Sequence, residues 1–563
     1  MALNTRLGRP AGTKATLNPS TWLREETVAG FSDFIQQKRP HKGGKAKEPE
    51  KSSFNINEML LETEIKLIEA AKRNDVAAMK LWGRGVNANV KNLHNRTALH
   101  FAVAGNNKEA VELLLLWRVK VDQKDIHGVA PIHLAAWFDC LDILKLLVRA
   151  GADQKICNNE GLNIIHCAAI NNHSVVLQYI IEDLQMKELD KPDRMGHTPF
   201  ALAAECGCLE MLDMLMSPAY EMASTRPNKN GDTPLHLAAG HGHFEEVGRL
   251  LESFETRDEI NMAEETALYL ATERGHEECV RVLLQADCNP NIVTSTKRSP
   301  LHSVAERGDT SLLRLLLDHD AQTDFQDQNL EAPLHLAVKN FHIPAIHMLL
   351  EAGCNINVAD KRSQTVMHLS AELGRVDIVE MLVKAGVDLT LLDKCASPSV
   401  EQHNKTALGV AARADEVAIV DMIIKAERYN AWREAHSELN EDLHSQCPLT
   451  FKLDHRQETK QFRSTVWHLS HGLLKPGDWK RLAEQWDFTR EQVEAIEAQW
   501  TGQQSYREHG NRMLLIWLHT VELAGKSPAK ELYQGLISTS NRAAADKLRK
   551  ETKSSSSKNC NIS

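Results

Sequence analysis

Seven histidines recur in one context along this 563-residue chain: His100, His133, His166, His236, His302, His335 and His368. Imidazoles bind metals and carry protons. His236, His241 and His243 even have the close spacing of a ligand set. Rings set about one repeat apart do not converge on an ion. Each instead fits a hydrogen bond to neighbouring turn backbone that links one segment to the next. Cys206 and Cys208 are the one close cysteine pair; zinc needs four ligands, so they read as partly buried thiols on a helix. Gly525-Lys526-Ser527 imitates the end of a phosphate loop, but Thr520 stands where its first glycine belongs and a helical pattern precedes it. No hydrolase, zincin or kinase signature occurs in the sequence. The sequence therefore predicts no catalytic residue, no cofactor and no metal. One reactive candidate remains. Cys560-Asn561-Ile562-Ser563 has the pattern of a prenylated terminus. Lys547, Arg549, Lys550, Lys553 and Lys558 upstream supply the basic patch that a single lipid needs for anchoring.

The histidines belong to a longer periodic pattern. Thr233-Pro234-Leu235-His236-Leu237-Ala238 is echoed by Ala332-Pro333-Leu334-His335-Leu336-Ala337. Copies start at 97, 130, 163, 198, 233, 266, 299, 332, 365 and 406, mostly 33 residues apart. A degenerate eleventh lies in front, around Glu64. Thr or Ser at the start suits a helix N-cap, and Pro suits the first helical position. Small Ala residues allow close helix approach. Glycines such as Gly105, Gly207, Gly242, Gly275, Gly308 and Gly374 suit a left-handed helix end. A second apolar helix follows in each copy, then an extended turn. One such unit cannot bury its apolar face alone, so stacking must supply the core.

This period and signature resemble the ankyrin repeat. The resemblance implies an all-α solenoid of helix-turn-helix units with extended hairpin turns over residues 62–427. It also implies binding through turn tips and inner helices. Trp137 and Phe138 stand where other copies carry small or polar residues, so they are possible interaction residues, with packing under the next turn as the alternative. The resemblance further implies that asparagines at the repeat's end are possible sites of β-hydroxylation. Asn89, Asn291 and Asn357 fit, with Leu81, Leu283 and Leu349 eight positions earlier; a plain turn role is the alternative.

Composition sets the background. Hydrophobic residues are 42% and charged residues 25%, as in ordinary globular protein. The net charge of -10 argues against nucleic-acid binding. Residues 1–57 carry ten basic against five acidic side chains and read as a disordered basic tail. The eleven scattered cysteines, with no secretory leader, predict reduced thiols and a cytoplasmic protein.

After Lys425 the period is lost, and residues 428–455 read as a linker with a helix around Trp432. Tryptophan then becomes dense: Trp467, Trp479, Trp486, Trp500 and Trp517. Apolar spacing predicts six short helices in an antiparallel bundle over 456–549, with Thr489 and Ser540 as caps and Pro528 opening a helix. Residues 550–563 read as a disordered tail. Asp478 to Ala483, Val493 to Glu497, Tyr506, Leu514 to Leu518, Ala529 to Leu532 and Asp546 to Leu548 resemble the death domain. Trp479, Leu482, Ile496 and Trp517 match that family's core positions. The whole resembles proteins that join an ankyrin array to a C-terminal death domain. This implies a non-enzymatic adaptor or scaffold, with protein clients on the array and death-fold proteins on the bundle. The alternative is a client or inhibitory decoy, including a substrate of asparaginyl hydroxylation. No nucleic-acid partner is expected, and a membrane only if Cys560 is prenylated.

Overall fold

The computed structural model describes residues 62–83, 85–186, 189–218, 220, 224–394, 405–435, 449, 451, 457–500 and 502–549. The chain divides into two compact units, Met1–Cys288 and Asn289–Ser563.

The described part of the first unit is a row of helix pairs: α1 (Glu62–Lys72) with α2 (Val76–Trp82), α3 (Ala98–Ala104) with α4 (Lys108–Leu116), and α5 (Pro131–Trp137) with α6 (Leu141–Arg149). Then come α7 (Ile164–Ile170) with α8 (Ser174–Gln178), α9 (Pro199–Cys206) with α10 (Leu209–Met216), α11 (Pro234–His241) with α12 (Phe244–Ser253), and α13 (Ala267–Arg274) with α14 (Glu277–Gln285). The degenerate first copy is a real pair. The caps of α3, α5, α7, α9, α11 and α13 are Thr97, Ala130, Asn163, Thr198, Thr233 and Thr266, the starts read from the sequence. Helix α8 runs into a π turn, Tyr179–Asp183, in one of the three repeats longer than 33 residues.

In the second unit, α15 (Pro300–Arg307) pairs with α16 (Thr310–Asp318), α17 (Pro333–Lys339) with α18 (Ile343–Glu351), α19 (Val366–Glu372) with α20 (Val376–Lys384), and α21 (Ala407–Arg413) with α22 (Val417–Ala435). Then follow α23 (Gln457–Gly472), α24 (Asp478–Gln485), α25 (Arg490–Ala498), α26 (Ser505–Leu523), α27 (Pro528–Ser538) and a last helix, α28, at residues 542–549.

Most repeat helices have seven to ten residues, too short to persist alone in water. Packing sustains them. First helices stack on first helices within each unit. Ala102, Ala135, Ala168, Ala203, Ala238 and Ala271 are fully buried at those contacts. Among the described residues there is no strand, only an isolated bridge between Ala359 and Thr365. In the C-terminal helices, α26 is central and touches α23, α24, α25 and α27. Trp479, Leu482, Ile496 and Trp517 are buried there, and Trp486 stacks on Trp517 at 4.3 Å.

Three local expectations change. Gly105 has φ -84°, and the left-handed residue is its neighbour Asn106. Trp500, counted among the dense tryptophans of the bundle, lies past the end of α25 at φ 63° and is exposed. Ser540 is itself left-handed, and Asn541 precedes α28 in its place. The 1–57 tail, the Cys395–Asn404 insertion, most of the linker beyond 435 and Cys560 lie outside the described residues.

Candidate protein-binding face

The recurring histidine is a structural clip. In His100, Nδ1 accepts the Thr97 backbone N–H at 3.1 Å, and Nε2 donates to the Val129 carbonyl at 3.2 Å. His133, His166, His236, His302 and His368 repeat both bonds, with Nε2 reaching a carbonyl 23 to 37 residues ahead. In His335 the Nδ1 bond is present, from the Ala332 N–H. This settles the Nε2–H tautomer and explains the period. Burial holds His100, His133, His166 and His302 down at about 4, and each therefore stays neutral. The Thr hydroxyl contacts the ring: Thr97 Oγ1 lies 3.0 Å from His100 Nδ1. Direct hydroxyl capping of backbone occurs where no histidine follows, at Thr198, Thr266 and Thr406.

A second imidazole row opens the second helices. Nε2 of His173, His243, His276 and His342 donates to the carbonyl of Trp137, Glu205, Gly240 and Glu306 in the preceding repeat, at 2.8 to 3.1 Å. His241 belongs to neither row; its Nδ1 donates to Leu237 O at 2.9 Å. The apparent ligand set His236, His241, His243 is thus three different backbone contacts.

The tips are locked by Asx turns. Asp125 Oδ1 accepts from His127 N and Val129 N, both at 2.9 Å. Asn158, Asp193, Asn228, Asn261, Asp327 and Asp360 do the same two and four residues ahead. Backbone bonds then join tip to tip, as from Asn159 N to His127 O at 3.0 Å and Met262 N to Asn230 O at 2.9 Å. Sequence reading missed this device, although Asn or Asp stands five residues before the cap in eight of ten copies. Backbone bonds and one Asn or Asp side chain thus fix each of these tips.

Between the tips at 230–232 and 261–265 and helices α11 and α13 opens a pocket of about 450 Å³. Asp232 and Glu265 line it, each held by the Asn261 side-chain amide at 2.9 and 3.0 Å. Among the described residues neither carboxylate is ion-paired. Arg274 reaches across to the Gly240 carbonyl at 2.6 Å, and Met262 at the rim is 77% exposed. Such a site suits a side chain bringing donors or positive charge beside apolar surface.

The residues singled out from sequence lie elsewhere. Trp137 and Phe138 are half-buried at the end of α5, and the Trp137 carbonyl is taken by His173. Asn89, Asn291 and Asn357 are half-buried, and their Oδ1 atoms accept from Lys120 N, Gln322 N and Asp388 N at 2.7 to 2.9 Å. Asp122 and Asp324 make the same link to the next turn. Leu81 is exposed, whereas Leu283 and Leu349 are fully buried. Cys206 is half-buried, and Cys208 is buried with its thiol pushed up to about 12 by burial.

Paired short helices, a tip every 33 residues and histidine clips between copies define a repeat-array protein of the binding type. The family pattern Ankyrin repeats (3 copies) matches residues 67–156, 132–226, 219–294, 286–360 and 353–433, and the chain belongs to the ankyrin-repeat family. It is similar to the Putative palmitoyltransferase ZDHHC13 of Danio rerio (29% identity, 40% of this chain, 33% of that protein), a match on the ankyrin region. It is also similar to the Nuclear factor NF-kappa-B p105 subunit of Gallus gallus (33% identity, 29% of this chain, 17% of that protein). A third is the B-cell lymphoma 3 protein homolog of Mus musculus (29%, 28% and 36%). The chain spans little more than a third of these relatives' lengths at most. Ankyrin repeats imply a role in protein interaction and are generally non-enzymatic. No helix among the described residues is long and apolar enough to cross a membrane.

Proposed function

We propose that this chain is a non-enzymatic adaptor whose repeat face holds a client protein while its C-terminal helices meet a second protein. The carrying observation is the pocket: two carboxylates without ion pairs beside exposed Met262, held in place by the Asn261 amide of the tip. The client segment is one that brings a lysine or arginine next to an apolar residue. The C-terminal helices are read as a death domain, on their sequence resemblance and buried Trp479, Leu482, Ile496 and Trp517. The combination resembles ankyrin repeat and death domain-containing protein 1, in its A and B forms. Death-fold proteins are then the second class of partner, and the place of action is the cytoplasm.

Affinity capture with full-length chain tests the array reading. Asp232→Asn with Glu265→Gln, and separately Met262→Asp, are expected to lose clients that the parent retains, with unchanged circular dichroism. Clients retained equally by all three proteins would remove the pocket from the interface.

A second reading makes the chain a substrate. Asn89, Asn291 and Asn357 share one position, and hydroxylation by an asparaginyl oxygenase requires each turn to open, since each amide carries a link to the next repeat. Mass spectrometry of chain co-expressed with such an oxygenase decides it; no added oxygen at any of the three ends this reading. Prenylation at Cys560 would carry the adaptor to a membrane surface. Parent and Cys560→Ser chains are compared by fractionation and prenyl-analogue labelling, and an unlabelled, equally distributed parent rules it out.

A further inference from the structure

The first helix of each copy ends on a left-handed residue, and its chemistry is uniform with one exception. Five copies place glycine there, as at Gly308, and four place Asn or Asp, as at Asn106, all with φ between 53° and 83°. These residue types adopt the conformation at little cost. Between α17 and α18 the same position is Phe341, at φ 61°. A bulky side chain there is an outlier. Burial does not offset it, because Phe341 remains 39% exposed. The following position departs as well. In seven copies its residue, an Asn, Cys or His, donates to a carbonyl of the preceding repeat, as His342 does to Glu306 at 3.0 Å. Before α20 that residue is Arg375, whose guanidinium lies 3.6 Å over the Phe341 ring instead. Among the described residues the Arg375 side chain makes no ion pair and no hydrogen bond.

One junction thus gives up both a relaxed backbone and a bond between repeats, and an exposed aromatic with a cation on it stands in their place. Residues held in such conformations cluster at sites of function. The surroundings agree. Phe341 and Leu373 follow the first helices α17 and α19, and Ile343 and Val376 open the second helices α18 and α20, so the four lie on the same end of two stacked repeats. All four are exposed. An arginine with its fork unclaimed, on an aromatic ring and among apolar side chains, has the composition of an interface hot spot. What it lacks is a carboxylate, which a guanidinium binds through two parallel bonds. Glu372 and Asp377, exposed close by in the chain, do not supply it. Their charges disfavour a polyanion, so the fit is a single carboxylate beside an apolar side chain.

We propose that the Phe341–Arg375 junction is a docking site for a segment of a partner protein that sets an Asp or Glu carboxylate on Arg375 and an apolar side chain against Phe341, Ile343 and Leu373. It goes beyond the adaptor reading, whose pocket at Asp232 calls for a basic segment. Short random peptides displayed on phage are selected on the full-length parent chain, and enriched peptides are then titrated by fluorescence anisotropy. Expected are peptides with Asp or Glu within a few residues of Phe, Leu, Ile or Met, which bind Arg375→Glu and Phe341→Gly about tenfold or more weakly than the parent. Replacing the peptide's acidic residue by Lys is expected to lose the parent and regain Arg375→Glu. Phe341→Gly installs the residue of five other copies and is expected to melt no lower than the parent, so its loss of binding is not loss of fold. Selection that yields no peptide discriminating the parent from both variants overturns the proposal. So does a marked drop in the melting temperature of Phe341→Gly, which would make Phe341 a packing residue. A parent that self-associates on ultracentrifugation where Phe341→Gly does not would put a second copy on the site and also overturn it. Chain carrying Asp232→Asn with Glu265→Gln is expected to bind the peptides like the parent, so the two sites stand or fall separately.

Discussion

In six of the repeats a single imidazole does two jobs: it satisfies the cap amide of its own helix and a carbonyl of the next turn. It must be neutral to do so, and burial holds His100, His133, His166 and His302 at about 4 against an ordinary 6.5. The sign of the pH dependence follows. The unfolded chain takes up these protons near 6.5 and the folded chain only near 4. Unfolding therefore gains protons in that window, and stability is full above 6.5 and falls toward 4. Each ring contributes on the order of 3 kcal/mol across the whole window. Urea titrations followed by circular dichroism at pH 7 and pH 5 are expected to show a lower midpoint at pH 5. Equal midpoints would mean the rings are accessible to protons in the folded array.

At the element scale, consecutive helix pairs meet through glycine. Gly308 ends α15 at φ 73°, and a Cβ there would stand 2.4 Å from the His342 ring. Gly207 and Gly242 face His243 and His276 in the same way. Conformation and clash therefore coincide at one atom. Gly308→Ala is expected to cost more than the 1–2 kcal/mol of the left-handed backbone alone. Adding His342→Ala relieves the steric share while removing one bond to Glu306, so the double variant is expected to fall short of the sum of the two single effects. Additive losses would show that no clash exists. In the C-terminal bundle, Trp517 is 2% exposed and stacked on Trp486. Trp517→Ala is expected to cost about 3–5 kcal/mol. Because α26 also supports α22, that loss is expected to raise hydrogen exchange in α22 as well as in the bundle. Unchanged exchange at 424–435 would separate the two.

Over the whole molecule, loss of period near 430 leads us to expect two halves joined by a linker. In the second unit, α21 and α22 touch α25 and α26, with Arg512 paired to Asp421. A chain nicked by protease between 436 and 456 is expected to remain one particle on size exclusion at moderate salt. In the Asp421→Arg background it is expected to separate into two. Fragments of the parent that elute apart would show the polar junction too weak to hold.

The sequence by itself determined the repeat. Cap, Pro, Leu and Ala positions recur at one period because each copy solves the same local problem of starting a helix and presenting a small face to its neighbour. The ten starts and the six C-terminal helices were legible for that reason, as were the buried Trp479 and Trp517. What tertiary structure alone decided are the encounters between distant residues. The pocket at Asp232 and Glu265 exists only where two tips are brought side by side. The bond from His173 to the Trp137 carbonyl joins residues 36 positions apart. The pairing of Asp421 with Arg512 joins residues 91 positions apart. Periodicity reports which face of a helix is apolar, and it is silent on which partner covers that face.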